Sequence, residues 1–258
     1  MDLELRSQKL VDDAQGHRQW ESVIEPVSIP AERTTLLLCD VWNNHTCQGA
    51  VDRLEEMVPR INEVVHAARD KGVFIIHAPS ETMEFYENSP ARKRILGYPE
   101  VDTPELLERD DPPMPIDASD GGCDSRRTAV GDKWQRDRDN GTPTTFRPWT
   151  SQHPGVDIDE DKDGVANELG EVYPALRANE AELMLILGVH TNMCILNRSF
   201  GIKRMVGLEQ PVALVRDLTD TMYDPAKPPY VSHDEGTRLV VEYIEKFWCP
   251  SVMSEQLL

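Results

Sequence analysis

The sequence predicts a three-layer α/β/α fold around a doubly wound, mostly parallel sheet of about six strands, and three observations carry that expectation. Short continuous apolar runs, suited to strands covered on both faces, recur along the chain. Stretches with apolar residues at helical spacing lie between them. The length, 258 residues, allows one large core but is short for two full enzyme domains.

Residues 1–33 read as an N-terminal extension with one strand and a loop, and residues 34–254 as a single α/β domain. The first apolar run is Thr35-Leu36-Leu37-Leu38-Cys39. Leu54, Met57, Val58, Ile61, Val64, Val65 and Ala68 then mark a helix that stops at Lys71-Gly72. Val73 to Ile76 is the second run. Between about residues 98 and 157 the chain carries Pro-Pro, Asp-Gly-Gly and Asn-Gly-Thr-Pro pieces with little periodicity, which reads as an irregular insertion that shapes a site or an interface. Leu183 to Leu187 is the third run, followed by a helix over Ile195 to Val206. Pro211 to Val215 is the fourth, and Leu239, Val240, Tyr243, Ile244 and Phe247 mark a last helix.

Composition narrows the partners. Lys and Arg total 27 against 46 Asp and Glu, a net charge of −19, which repels phosphate backbones and anionic membrane surfaces. Nucleic acid and membrane are excluded as partners on that ground, leaving a small-molecule substrate. Met1 to Gln19 has no apolar signal-peptide stretch, and no window approaches the about 18 apolar residues of a membrane span, so a soluble, cytoplasmic protein is expected. Five cysteines, Cys39, Cys47, Cys123, Cys194 and Cys249, are odd in number and widely spread, which fits reduced thiols better than a disulfide scaffold.

Ligands of open α/β sheets bind beyond the carboxyl ends of the strands. The first run ends at Asp40, followed by Trp42 and His45; the second at His77; the third at Gly188-Val189-His190-Thr191-Asn192-Met193-Cys194. An acid, histidines and a cysteine therefore converge on one sheet edge. Cys194 follows Asn192, a good N-cap, so its thiol falls in a first helical turn, where the macrodipole favours a thiolate and free N–H groups can hold an oxyanion. The alternatives are a buried inert cysteine, and an Asp40 that caps a turn.

These segments, Leu36-Leu37-Leu38-Cys39-Asp40 and Gly188 to Cys194 with the following Arg198 to Gly207, resemble the isochorismatase-like cysteine hydrolases, over about Thr34 to Ser254. The resemblance implies an aspartate, lysine and cysteine triad, with Asp40 as base and Cys194 as nucleophile. It further implies a cis peptide between Val189 and His190, an oxyanion hole from His190 and Cys194, and a homo-oligomer. Trp42, His45, His77 and His190 would line the substrate pocket. The family places its lysine at the end of a strand before the helix that precedes the cysteine strand, and counting back from Tyr173 to Leu176 gives Lys162.

Lys162 sits in a segment with a competing meaning. Asp159-Glu160-Asp161-Lys162-Asp163-Gly164 opens like a calcium loop, but its twelfth place is Gly170 rather than the bidentate glutamate, so no strong calcium site is expected. The aspartate and histidine spacing of a nicotinamidase metal site is missing after His77, and neither metal nor organic cofactor is assigned. The expected function is hydrolysis of a small amide-like carbon–nitrogen bond or an isochorismate-type substrate; the alternative is a non-catalytic ligand-binding or scaffold protein on the same fold. A hydrolase requires a basic side chain near Cys194 and Asp40.

Overall fold

The computed structural model describes residues 1–142 and 146–258; residues 143–145 of the expected insertion lie outside the described part. Among the described residues eight strands form one sheet. They are β1 (Asp2–Asp12), β2 (Arg18–Ser28), β3 (Thr34–Cys39), β4 (Phe74–Ala78), β5 (Gly164–Val165), β6 (Leu183–Val189), β7 (Val212–Asp220) and β8 (Ser251–Val252), ordered β2-β1-β8-β7-β6-β3-β4-β5. The run from β8 to β5 is parallel, which is the predicted six-stranded body. The remaining two are an antiparallel hairpin that joins it through Arg6 opposite Ser251. In place of one strand and a loop, the first 28 residues make both hairpin strands. Their mostly exposed side chains leave no apolar run in the sequence to mark them.

The α-helices among the described residues are α1 (Gln48–Asp70), α2 (Pro90–Leu96), α3 (Ala129–Asp139), α4 (Leu169–Ala178), α5 (Ile202–Gly207) and α6 (His233–Phe247). Strand alternation divides the core in two. Leu36, Leu38, Ile75, Leu185 and Val215 pack against Leu54, Ile61, Val64 and Val65 of α1. Leu37, Ile76, Met184, Ile186 and Leu214 meet Leu176 of α4, Met205 of α5 and Ile244 of α6 on the other face. The sheet thus lies between two helical layers.

Chain direction sets the site. From β3 the strands progress one way to β4 and β5, and from β6 the other way to β7 and β8, so β3 and β6 are neighbours at the point where the order reverses. Gly188 makes the close approach possible there: its φ is +110°, and a Cβ on it would stand 2.1 Å from the Cys39 carbonyl oxygen. The helix predicted over Ile195 to Val206 is broken. A π-helical turn, Thr191–Ile195, ends in a turn closed by the Gly201 N–H donating to the Arg198 carbonyl, and α5 begins only at Ile202.

Among its described residues the insertion between 98 and 157 is irregular apart from α3, and it straps the loop after β3. Cys47 and Cys123 are disulfide-bonded, against the expectation of reduced thiols; Cys39, Cys194 and Cys249 are the free ones. The two cysteines are 76 residues apart, so nothing local in the sequence reveals the pairing. Thr128 Oγ1 donates to the His45 carbonyl at 2.7 Å. Gly131 packs so tightly that a Cβ would lie 2.3 Å from the Thr46 carbonyl oxygen. Among the described residues no helix is long and apolar enough to cross a membrane.

Candidate active site

Asp40 follows β3 in a left-handed backbone conformation, φ 51°, and is fully buried. Its Oδ1 accepts the Ser80 N–H at 2.9 Å, and its Oδ2 accepts Arg198 Nε at 2.8 Å. Burial raises the Asp40 carboxyl above its ordinary value, while the Arg198 charge works in the other direction. Arg198 itself stays charged: burial opposes its cation, but Asp40 more than offsets that.

Cys194 stands in the π-helical turn after β6, half-buried, with its thiol against the Asp40 carboxylate. The predicted preference for the thiolate is overturned. Burial first, and the Asp40 charge second, push the thiol up to about 12, and these outweigh the Arg198 charge and the His190 N–H that lower it. The resting group is a thiol paired with a base. The Val189–His190 peptide is cis, as expected.

Cys194 and Arg198 open into a cavity of about 510 Å³ whose walls include Trp42, His45, Trp149 and His190. Trp42 and Trp149 stack with ring centroids 3.9 Å apart, and Trp42 Nε1 donates to the Ser80 carbonyl at 3.1 Å. His45 and His190 meet edge to face at 4.9 Å. Burial lowers His45 to about 4, and burial with the neighbouring His45 lowers His190 to about 3, so both rings are neutral at pH 7. The Cys47 N–H donates to His45 Nδ1 at 3.2 Å, which leaves the proton of the neutral ring on Nε2. Behind His190, Asp220 at the end of β7 accepts from Arg53 Nε at 2.9 Å and pairs with His233 Nε2 at 2.8 Å.

Two predicted site residues are elsewhere. Lys162 precedes β5, on the amino side of that strand, and its exposed ammonium reaches Asp159 at 3.4 Å. The place the resemblance reserves for lysine, after β5 and before α4, holds Asn167, whose Oδ1 accepts the Glu81 N–H. His77 shares the α1 face of β4 with Ile75 and is fully buried, its Nδ1 2.8 Å from Gln152 Oε1 and its Nε2 3.0 Å from Asp163 Oδ2. It joins sheet to insertion and does not line the cavity. Asp163, in the calcium-like segment, is further held by Arg69 at 2.6 Å. Among the described residues no group of three or more His, Cys, Asp or Glu side chains converges as metal ligands would.

The residues missed in the sequence are Arg198, Glu81 and Trp149. A signal existed for Arg198: it lies four positions, about one helical turn, after Cys194, and so projects toward the same edge.

The fold, a sheet parallel from β8 to β5 with its order reversing between β3 and β6, is shared with solved structures. A cysteine hydrolase from Pseudomonas syringae pv. phaseolicola superposes with TM-score 0.53 at 17% identity, covering 89% of this chain and 92% of its own. An isochorismatase from Pseudomonas putida gives TM-score 0.52 at 11% identity, with 89% and 92% covered. No protein-family model and no curated protein matches the sequence. The chain has the isochorismatase-like fold.

Proposed function

We propose that this protein is a cysteine hydrolase acting on a small amide-like substrate. The observation that carries the reading is that Cys194 and Arg198 line one cavity at the β3/β6 edge while the buried Asp40 lies behind them, bonded to Arg198, which supplies the cation that a hydrolase requires.

Asp40 takes the proton of the Cys194 thiol as the sulfur attacks the amide carbon; with the thiol near 12, transfer and attack proceed together rather than through a resting thiolate. Backbone N–H groups around His190 to Cys194 hold the oxyanion. Arg198 cannot release a proton, so it keeps Asp40 ionised and oriented and balances charge on sulfur. The carbon–nitrogen bond breaks as Asp40 returns the proton to the leaving amine. Water then attacks the thioester, giving its proton to Asp40, and the sulfur leaves to recover that proton.

A panel of amides and carbamoyl compounds, assayed for released ammonia or amine, tests this. Wild-type turnover that vanishes in Cys194→Ala, with an acyl-protein mass trapped at Cys194, supports the reading; turnover that survives in Cys194→Ala overturns it.

A further inference from the structure

We infer that the substrate carries an uncharged, planar aromatic group, held beside the catalytic cavity in an annexe formed by Trp134, Phe146 and Trp149. The inference rests on the proposed hydrolysis for its reacting amide but not for its aromatic half. The annexe measures about 360 Å³ and shares His45, Glu81 and Trp149 with the catalytic cavity, so one ligand can occupy both.

The chain is poor in aromatics, 6%, with five tryptophans, yet Trp42, Trp134 and Trp149 all face these two spaces. Trp134 and Phe146 belong to none of the hydrophobic core clusters, so core packing does not account for them, while Trp149 is set in place by its stack on the buried Trp42. α3 has only Gly131 buried. Cations brace two of the rings: Lys133 Nζ stands 4.1 Å from the Phe146 centroid and the Arg138 guanidinium 4.5 Å from that of Trp134.

The border between the two spaces is charge-balanced. Glu81 is paired with Arg147 and lies 3.9 Å from Arg198, so neither a free carboxylate nor a free cation waits there for a charged ligand group. The Thr128 and Gly131 contacts and the Cys47–Cys123 bond fix this part of the insertion to the loop that carries His45. A preformed aromatic site loses little freedom on binding, and stacking in it adds to affinity without touching the reacting bond.

Calorimetry on the full chain carrying Cys194→Ala, with acetamide, phenylacetamide, 3-phenylpropanamide and 4-phenylbutanamide as ligands, tests the inference. At least one phenyl amide is expected to bind about tenfold tighter than acetamide. Adding Trp134→Leu and Phe146→Leu, which keep apolar bulk without rings, should bring it to within about twofold of acetamide; unchanged melting shows these variants fold. No gain for any phenyl amide, or a gain that survives both substitutions, overturns the aromatic annexe. Hydrolysis of the same amides by wild type is scored separately: tight ring-dependent binding without turnover keeps the annexe and removes the hydrolase reading, and turnover without the gain does the reverse.

Discussion

Arg198 Nε lies 2.8 Å from Asp40 Oδ2, a contact between residues 158 positions apart that places a fixed cation beside the cysteine thiol. Arg198→Met is therefore expected to lower kcat/KM by on the order of 100-fold or more, since it removes preorganised charge from the reacting centre. Asp40 would be left buried without its partner, at a cost of roughly 3 kcal/mol in unfolding free energy. Arg198→Lys should recover part of the rate, because a lysine restores the charge but not the directed Nε bond. Steady-state kinetics with chemical melts decide it; an Arg198→Met protein of wild-type rate removes Arg198 from the site.

Cys194 should be the first free thiol alkylated by limiting iodoacetamide, because Cys39 and Cys249 are buried. With the thiol near 12, labelling should rise about tenfold per pH unit between pH 7 and 9. Asp40→Asn removes the charge that, after burial, pushes the thiol up, so labelling should quicken while turnover is lost. Peptide mapping that finds Cys39 or Cys249 modified first contradicts the assignment.

Lys162→Ala should change neither kcat nor KM, and stability by no more than about 0.5 kcal/mol, because an exposed ion pair with Asp159 is all it loses.

His77→Ala should cost about 2–4 kcal/mol by stranding Gln152 and Asp163. Burial works against the charge of Asp163, but His77 and Arg69 hold its carboxyl below the ordinary 3.8. A depressed carboxyl contributes stability that is present above the unfolded value and lost as pH falls through the folded one. The gap between wild type and His77→Ala should thus be full at pH 7 and narrower near pH 3. A gap that widens in acid would show that Asp163 is not the group involved.

Paired replacement of Cys47 and Cys123 by serine should lower stability by roughly 4 kcal/mol, as expected for a bond closing a loop of 76 residues. Non-reducing peptide mapping should recover the two cysteines in one linked species.

Much of this arrangement is legible in the sequence for a physical reason: β3 and β6 are buried at every position, so their cores must be apolar and their carboxyl ends, and with them Asp40 and Cys194, can be located by eye. Illegible parts lack that constraint. β5 has two residues, too few to anchor a count, and the search for a lysine slipped to the wrong end of it. His77 ends an apolar run as Asp40 does, but only the pleat tells that it turns toward α1. Arg198 sits where a helix was expected to continue, and its role emerges from the turn that stops it.

The neighbouring positions of β3 and β6 carry a kinetic consequence. Asp40 and Cys194 meet only when Thr34–Cys39 pairs with Leu183–Val189, a closure across well over a hundred residues, and such long-range pairing is slow because chain entropy is lost before contacts repay it. During synthesis from the amino end, the helix α1 and the β3/β4 pair can form early, whereas the meeting of Asp40, Cys194 and Arg198 waits for Arg198 to leave the ribosome. The edge of β3 that meets β6 is therefore covered only after the chain has been made through Val189, so the step expected to limit folding is the docking of the strand that carries Cys194 to Asp40.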